Sequence, residues 1–308
     1  LGRKWRWAIQ LAVALVVTAM VARAVADNWD RFRSLSLTLD LHVGWLLLSF
    51  ACIAVVSALQ IESWRRILAG WGQTLPFARG ARIWFLANLG RYVPGKVWSV
   101  AGMVVLARED GVQPWAAAAS AVAVQALGLG TAAAIVAATI TIRGSDSGLG
   151  IALAAAFSVA TIAVLGWSGG LRRLSRLAGS TTEWTALPLR TVLMSAVLTA
   201  ASWVAYGVAF WLLALGLGLP GTLGVGTATG VFALGYVLGL LALFAPGGIG
   251  VREVLFIGLL TPFVGSGGAI ALSVASRLQL TLTEAAAGLG ALFIGKHKEK
   301  VARDAIGR

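Results

Sequence analysis

Apolar residues in this chain run in long blocks rather than alternating with polar ones. Six blocks are long enough for a helix to cross the roughly 30 Å of hydrocarbon in a bilayer. They are Trp5–Ala26, Val43–Ile61, Pro114–Ile142, Gly148–Trp167, Leu189–Leu215 and Gly268–Ile294. Val, Ile and Thr are common in them, yet in lipid a lone segment satisfies its own backbone N–H and C=O groups only as a helix. The predicted class is an all-α polytopic membrane protein, one integral membrane domain over residues 1–308. Two stretches break the pattern. Phe77–Ala107 carries Arg79, Arg82, Arg91 and Lys96 and is interrupted at Pro94-Gly95. Gly221–Pro262 is interrupted at Pro246-Gly247-Gly248, with Gly250 and the pair Arg252-Glu253 just beyond. Proline removes a helix donor and glycine frees the backbone, so both are predicted broken or re-entrant helices.

Composition sharpens this reading. Only 12% of residues are charged and mean hydropathy is +0.85, whereas soluble domains carry about 25% charged residues. No room is expected for a soluble catalytic domain. The single cysteine, Cys52, lies inside an apolar block, and the only histidines are His42 and His297. That leaves no intrachain disulfide and no metal cluster, and no cofactor is expected. The net charge of +13 sits largely in clusters flanking apolar blocks. The tendency of basic residues to remain cytoplasmic explains it without nucleic acid as a partner.

Those clusters predict topology. Arg3, Lys4 and Arg6 place the N-terminus in the cytoplasm and the first block as a retained span. Arg65-Arg66, then Arg172-Arg173 with Arg176, and then Lys296, Lys298, Lys300 and Arg303 mark further cytoplasmic segments, the C-terminus among them. The charge-balanced loop Asp27 to Asp40 falls outside. All clusters agree only if each broken stretch begins and ends on one side, the first inside and the second outside. The chain then reads as span, span, broken stretch, span, twice over and in opposite orientation, with halves near 1–145 and 146–308. Pro94-Gly95 and Pro246-Gly247 lie 152 residues apart. Inverted repeats of this kind bring broken helices together near the midplane, where substrate binds.

Three constellations are candidates for chemistry. Asn88, Arg91 and Lys96 surround the first break. Backbone N–H groups at a new helix start, with two cations, suit an anionic group such as phosphate; the alternative is that Arg91 and Lys96 snorkel to the headgroups. In the second, Gly247, Gly248 and Gly250 allow a sharp turn and close backbone approach. Arg252 and Glu253 are adjacent, point about 100° apart on a helix and so need separate partners. The third is Arg277 with Glu284 on the last span, expected to pair Arg277 with Glu253 and Glu284 with Arg252. A coupling role for Glu253 or Glu284 is the sharper alternative. Gln60 and Gln125 read as interhelical glue, and the tryptophans as anchors and packing.

The run Asn-Leu-Gly-Arg-Tyr-Val-Pro-Gly-Lys-Val-Trp at 88–98, followed by Arg108 to Gly111-Val112, resembles the first signature of the lysylphosphatidylglycerol synthase transmembrane family. Pro-Gly-Gly-Ile-Gly-Val-Arg-Glu at 246–253 is similar to its second. The family includes the flippase half of multiple peptide resistance factor proteins and many stand-alone members. The resemblance implies lipid translocation, with Arg91, Lys96, Arg252 and Glu253 as cavity residues. The aminoacyl-transferase domain of the fused proteins is not expected here. The expected function is movement of a phosphate-bearing lipid, such as a polyprenyl-phosphate-linked sugar, a glycolipid or an aminoacylated phospholipid, across the cytoplasmic membrane. The expected partners are membrane lipids with anionic headgroups, with a membrane glycosyltransferase or further copies of the chain as other candidates. Competing readings are an integral membrane transferase and a non-transporting partner of a glycosyltransferase.

Overall fold

The computed structural model describes residues 41–92, 98–140, 148–177, 185–219, 222–242 and 250–306. The predicted span Trp5–Ala26, the loop Asp27 to Asp40, Pro94-Gly95, Lys96 and Pro246-Gly247-Gly248 lie outside the described residues. Those residues are helical, with no strand among them. In chain order the helices are α1 (Val43–Gly70), α2 (Phe77–Asn88, continued by a 3₁₀ turn Leu89–Tyr92), α3 (Trp98–Glu109) and α4 (Pro114–Ile140). There follow α5 (Gly148–Gly166), α6 (Ser168–Leu177), α7 (Leu189–Gly216), α8 (Val225–Leu241) and α9 (Val251–Ile306).

Four helices among the described residues are long and apolar enough to cross a membrane: Val43–Gly70, Pro114–Thr139, Leu189–Gly216 and Val251–Leu292. They contain or closely match four of the six predicted spans. The predicted span Gly148–Trp167 is present as α5, but its described apolar part, Ala154–Gly166, is shorter than a full crossing.

The centre of the fold is the antiparallel pair α1 and α7. Ser49 Oγ donates to the Ala209 carbonyl at 2.6 Å, and Ser195 Oγ donates to the Ser63 carbonyl at 3.3 Å. Small residues let the two backbones approach closely, and hydroxyl bonds between them replace the hydrophobic drive that lipid removes. Ser63 Oγ also shares a hydrogen bond with Thr199 Oγ1 at 3.0 Å, and Gln279 Nε2 reaches Ser49 Oγ at 2.6 Å, which ties α9 to the pair. Both helices end alike. Gly72 (φ 73°) and Gly218 (φ 66°) take up the left-handed conformation that side chains resist. In each case the next two N–H groups close back on the last turn, as Gly72 N to Ala69 O and Gln73 N to Leu68 O, and as Gly218 N to Leu215 O and Leu219 N to Ala214 O. This satisfies carbonyls that a membrane would otherwise leave bare.

Both broken stretches are helical hairpins. α2 and α3 have 12 residues each, about 18 Å at 1.5 Å per residue, too short to cross alone. They lie side by side, a Cβ at Gly102 falling 3.3 Å from Ala87 Cα. Arg79 Nη1 pairs with Asp110 Oδ1 at 3.2 Å, which joins the entrance of the hairpin to its exit. In the second, α8 packs on the first part of α9, and Thr222 Oγ1 bonds the Phe263 carbonyl. Each predicted broken stretch therefore starts and finishes at the same end.

The second stretch gives way to the last predicted span between Pro262 and Gly268. The helix passes through Pro262 and reverses at Gly265 (φ 70°, ψ 166°). Proline weakens the last turn, and the Thr222 hydroxyl caps one of the carbonyls that turn exposes. That the chain folds back here is plain from the Arg277–Glu253 ion pair. In one straight helix those residues would be about 36 Å apart.

α7 crosses α8 at Gly207, where an added Cβ would lie 2.5 Å from Thr229 Cα. Gly207→Ala must therefore push the two helices apart, at a cost of about 1–3 kcal/mol for overpacking. Gly226 on α8 has open space around its Cβ position, so Gly226→Ala serves as the matched control. The expected result is a clear fall in the thermal midpoint in detergent for the first variant and none for the second.

Candidate functional site

A cavity of about 450 Å³ lies between the two hairpins and the α1–α7 pair. That volume is in the range of pockets that enclose a small ligand or a headgroup, roughly 300–1,000 Å³. α1 contributes Gln60, α2 Trp84 and Asn88, and α3 Ser99. α4 supplies Gln125 and Val122; α7 supplies Trp203 and Tyr206, α8 Tyr236, and α9 Arg252. Val122, which also lines the cavity, is 48% exposed.

Matching positions in the two halves contribute to the lining. Gln60 and Tyr206 each lie 17 residues after the start of α1 and α7. Asn88 and Tyr236 each lie 11 residues into α2 and α8, and Ser99 and Arg252 are each the second residue of α3 and α9. All six line the same space.

The second motif resolves into separate tasks. Gly250 (φ 88°) begins the turn into α9, and its carbonyl accepts the Val254 N–H at 3.1 Å. Glu253 Oε2 accepts the Gly250 N–H at 2.6 Å, the arrangement by which an acidic residue in the first turn closes a helix start. Its other oxygen accepts from Arg277 Nη1, and both side chains are about one-fifth exposed. Glu253 therefore locks the α9 hairpin, and it is not among the residues lining the cavity. The expected Arg277–Glu253 pair is present.

Arg252, one residue earlier, points elsewhere. Its guanidinium lies 5.1 Å above the Phe232 ring and 5.4 Å above the Phe256 ring, and it borders the chamber. The rings stabilise a cation at modest dielectric while leaving guanidinium N–H groups for an incoming acceptor. Glu284, the expected partner of Arg252, is half-buried on the second arm of α9 and acts on it through space. Asn88 lines the chamber. Arg91 lies in the 3₁₀ turn that follows α2; its side chain, like Lys96, Pro94, Gly95, Pro246, Gly247 and Gly248, falls outside what is described. Among the described residues no group of three or more acidic, His or Cys side chains could hold a metal.

The aromatic wall was not singled out from the sequence. Trp203 Nε1 donates to Gly128 O and Thr131 Oγ1, both at 3.1 Å, and its ring meets Tyr236 edge-on at 4.9 Å. Tyr206 stacks on Phe232 at 4.8 Å, which links the wall to the Arg252 platform. Gln125 Nε2 donates to Tyr236 Oη at 3.4 Å, so this glutamine is both glue and lining. A signal did exist: of three tyrosines in the chain, two sit in the interior of apolar helices, away from the interfaces tyrosine favours.

Breaking one side of the Glu253–Arg277 lock leaves a poorly hydrated charge behind. Glu253→Gln and Arg277→Met should each lower the thermal midpoint, with the double variant recovering part of the loss. A double-mutant cycle should return a coupling of about 0.5–3 kcal/mol. Additive effects would mean that the two groups do not support each other.

No curated protein matches this chain. A family model described as "Lysylphosphatidylglycerol synthase TM region" matches residues 7–288, which takes in both hairpins, the α1–α7 pair and every residue lining the chamber. This multi-pass membrane protein thus belongs to the lysylphosphatidylglycerol synthase transmembrane family, a membrane domain associated with lipid-flippase-like function.

Proposed function

We propose that the chain is a lipid translocase of the cytoplasmic membrane, a transporter and not an enzyme, that carries a phosphate-bearing headgroup through the chamber while the acyl or prenyl tails stay in lipid. The observation that carries this reading is the position of Arg252: a half-buried guanidinium, braced by two phenyl rings, borders a largely apolar chamber that carries amide and hydroxyl groups and is bounded by membrane-length helices. A cation at such a depth is costly unless something anionic uses it. Arg252, with Arg91 and Lys96, would replace the water that a phosphate loses on entry; Glu284 would balance charge when the site is empty.

The matched positions support a second element of the proposal, an inverted repeat. α1 and α7 begin 146 residues apart, α2 and α8 148, and α3 and α9 153. The hydrogen bond from Ser49 to the Ala209 carbonyl becomes the bond from Ser195 to the Ser63 carbonyl when each residue is exchanged for its counterpart 146 positions away. Antiparallel packing of equivalent helices requires opposite orientations in the bilayer, and rocking one half on the other would expose the chamber to each leaflet in turn. In this reading both termini are cytoplasmic, in keeping with the basic clusters.

Proteoliposomes carrying traces of chain-labelled fluorescent lipids test the proposal. Bleaching beyond the outer-leaflet half should occur for at least one lipid in a panel of phosphatidylglycerol, phosphatidylinositol and a prenyl-phosphate hexose. Arg252→Gln should slow it at least tenfold at an unchanged thermal midpoint. Movement of no phosphate lipid, or equal rates with the variant, would remove the reading.

A further inference from the structure

The two halves of the chain bring chemically unlike residues to the chamber at matching positions. The first half contributes Gln60, Asn88 and Ser99; at the same places the second contributes Tyr206, Tyr236 and Arg252. At these positions the first half offers amides and a hydroxyl, groups that both donate and accept, with Trp84 beside them. The second offers aromatic rings and, among the described residues, the Arg252 cation, with the Thr199 hydroxyl beside them. Trp203 adds to the rings, and Gln125 brings an amide against them by donating to Tyr236 Oη. Among the described residues no Asp or Glu lines the space.

We infer, building on the translocase reading, that the headgroup is a lipid phosphate bearing a neutral hydroxylated ring, a hexose or a cyclitol, held with one ring face on the aromatic rings and its hydroxyls on the amides. Such rings have an apolar C–H face and a rim of hydroxyls. The face loses water favourably against tyrosine and tryptophan. The rim needs partners that can both give and take hydrogen bonds, which amides do and carbon walls do not. The phosphate then lies toward Arg252. The asymmetry also orients the ligand, because a two-sided ring fits an unlike lining in a defined way.

The same lining selects against a cationic aminoacyl headgroup. Beside a guanidinium already in place, an ammonium needs a carboxylate to offset the repulsion. The lining described here has no carboxylate, and the Phe232–Tyr206 stack already carries the Arg252 guanidinium. A second cation would sit beside the first in a low-dielectric space, where like charges repel strongly.

Purified full-length protein in nanodiscs is titrated with four lipids, and binding is read from intrinsic tryptophan fluorescence. Phosphatidylinositol presents a cyclitol, a prenyl-phosphate mannose presents a hexose, phosphatidic acid a bare phosphate, and lysylphosphatidylglycerol a cation. The expected result is at least tenfold tighter binding of one or both ring-bearing lipids than of the other two; whichever ring lipid leads distinguishes cyclitol from hexose. This wild-type ranking needs no variant. Gln60→Leu and Tyr236→Leu should then reduce the ring-over-phosphatidic-acid ratio to about twofold or less, whereas Arg252→Gln should weaken all the phosphate lipids and leave the ratio standing. Equal binding of the four, or preference for the lysyl lipid, overturns this inference and leaves translocation of phosphate lipids intact. Binding of none would remove both.

Discussion

In hydrocarbon, helices have no hydrophobic reason to associate, and polar groups on neighbouring backbones and side chains must find one another. The α1–α7 pair meets that condition with hydroxyl-to-carbonyl bonds at both ends of its contact, Ser49 to Ala209 and Ser195 to Ser63. Everything functional hangs from this seam. It fixes two long helices antiparallel, and each carries a chamber residue at the same position along its own length, Gln60 and Tyr206. Its extension through Gln279 to Ser49 anchors the second arm of α9, and that arm in turn holds Glu253 through Arg277.

The hairpins solve a different problem. A helix that stops within the membrane exposes unsatisfied N–H or C=O groups. Here the ends are closed by neighbours: Thr222 on the Phe263 carbonyl, Glu253 on the Gly250 N–H, and the Arg79–Asp110 pair across the mouth of the first hairpin. Because the hairpins are closed at their bases, their short arms can end beside the chamber. The start of α9 then delivers Arg252 to the cavity while the next residue, Glu253, faces the opposite way into the lock. Two adjacent charges thus serve ligand and fold separately, as their 100° divergence on a helix demands.

Specificity, in the proposed reading, comes from departure from symmetry. Equivalent positions in the two halves carry Gln60 against Tyr206, Asn88 against Tyr236 and Ser99 against Arg252. A chamber lined identically by both halves would hold a headgroup in two opposed orientations. Unlike halves hold it in one, and an ordered ligand is what a carrier needs if its phosphate is to meet the same cation each time.

What could be read directly from the chain was set by chemistry local to it. Apolar block length, the cost of unsatisfied backbone in lipid, and the helix-breaking action of Pro94-Gly95 and of the glycines up to Gly250 sufficed for the class and the two interrupted stretches. The Arg277–Glu253 pair was also legible, since few charges lie in these segments and opposite ones must meet. Which residue turns the chain between Pro262 and Gly268 was not, because Gly265, Gly267 and Gly268 could each do so. Nor was the aromatic wall: Trp203, Tyr206 and Tyr236 are unremarkable in helices rich in large apolar residues, and only packing decides whether a ring faces lipid, core or cavity. Hydropathy is a property of segments, whereas a chamber is made by residues from different helices whose registers are set by distant hydrogen bonds. That is why the membrane class came from sequence, and the chamber's unlike lining from the tertiary structure alone.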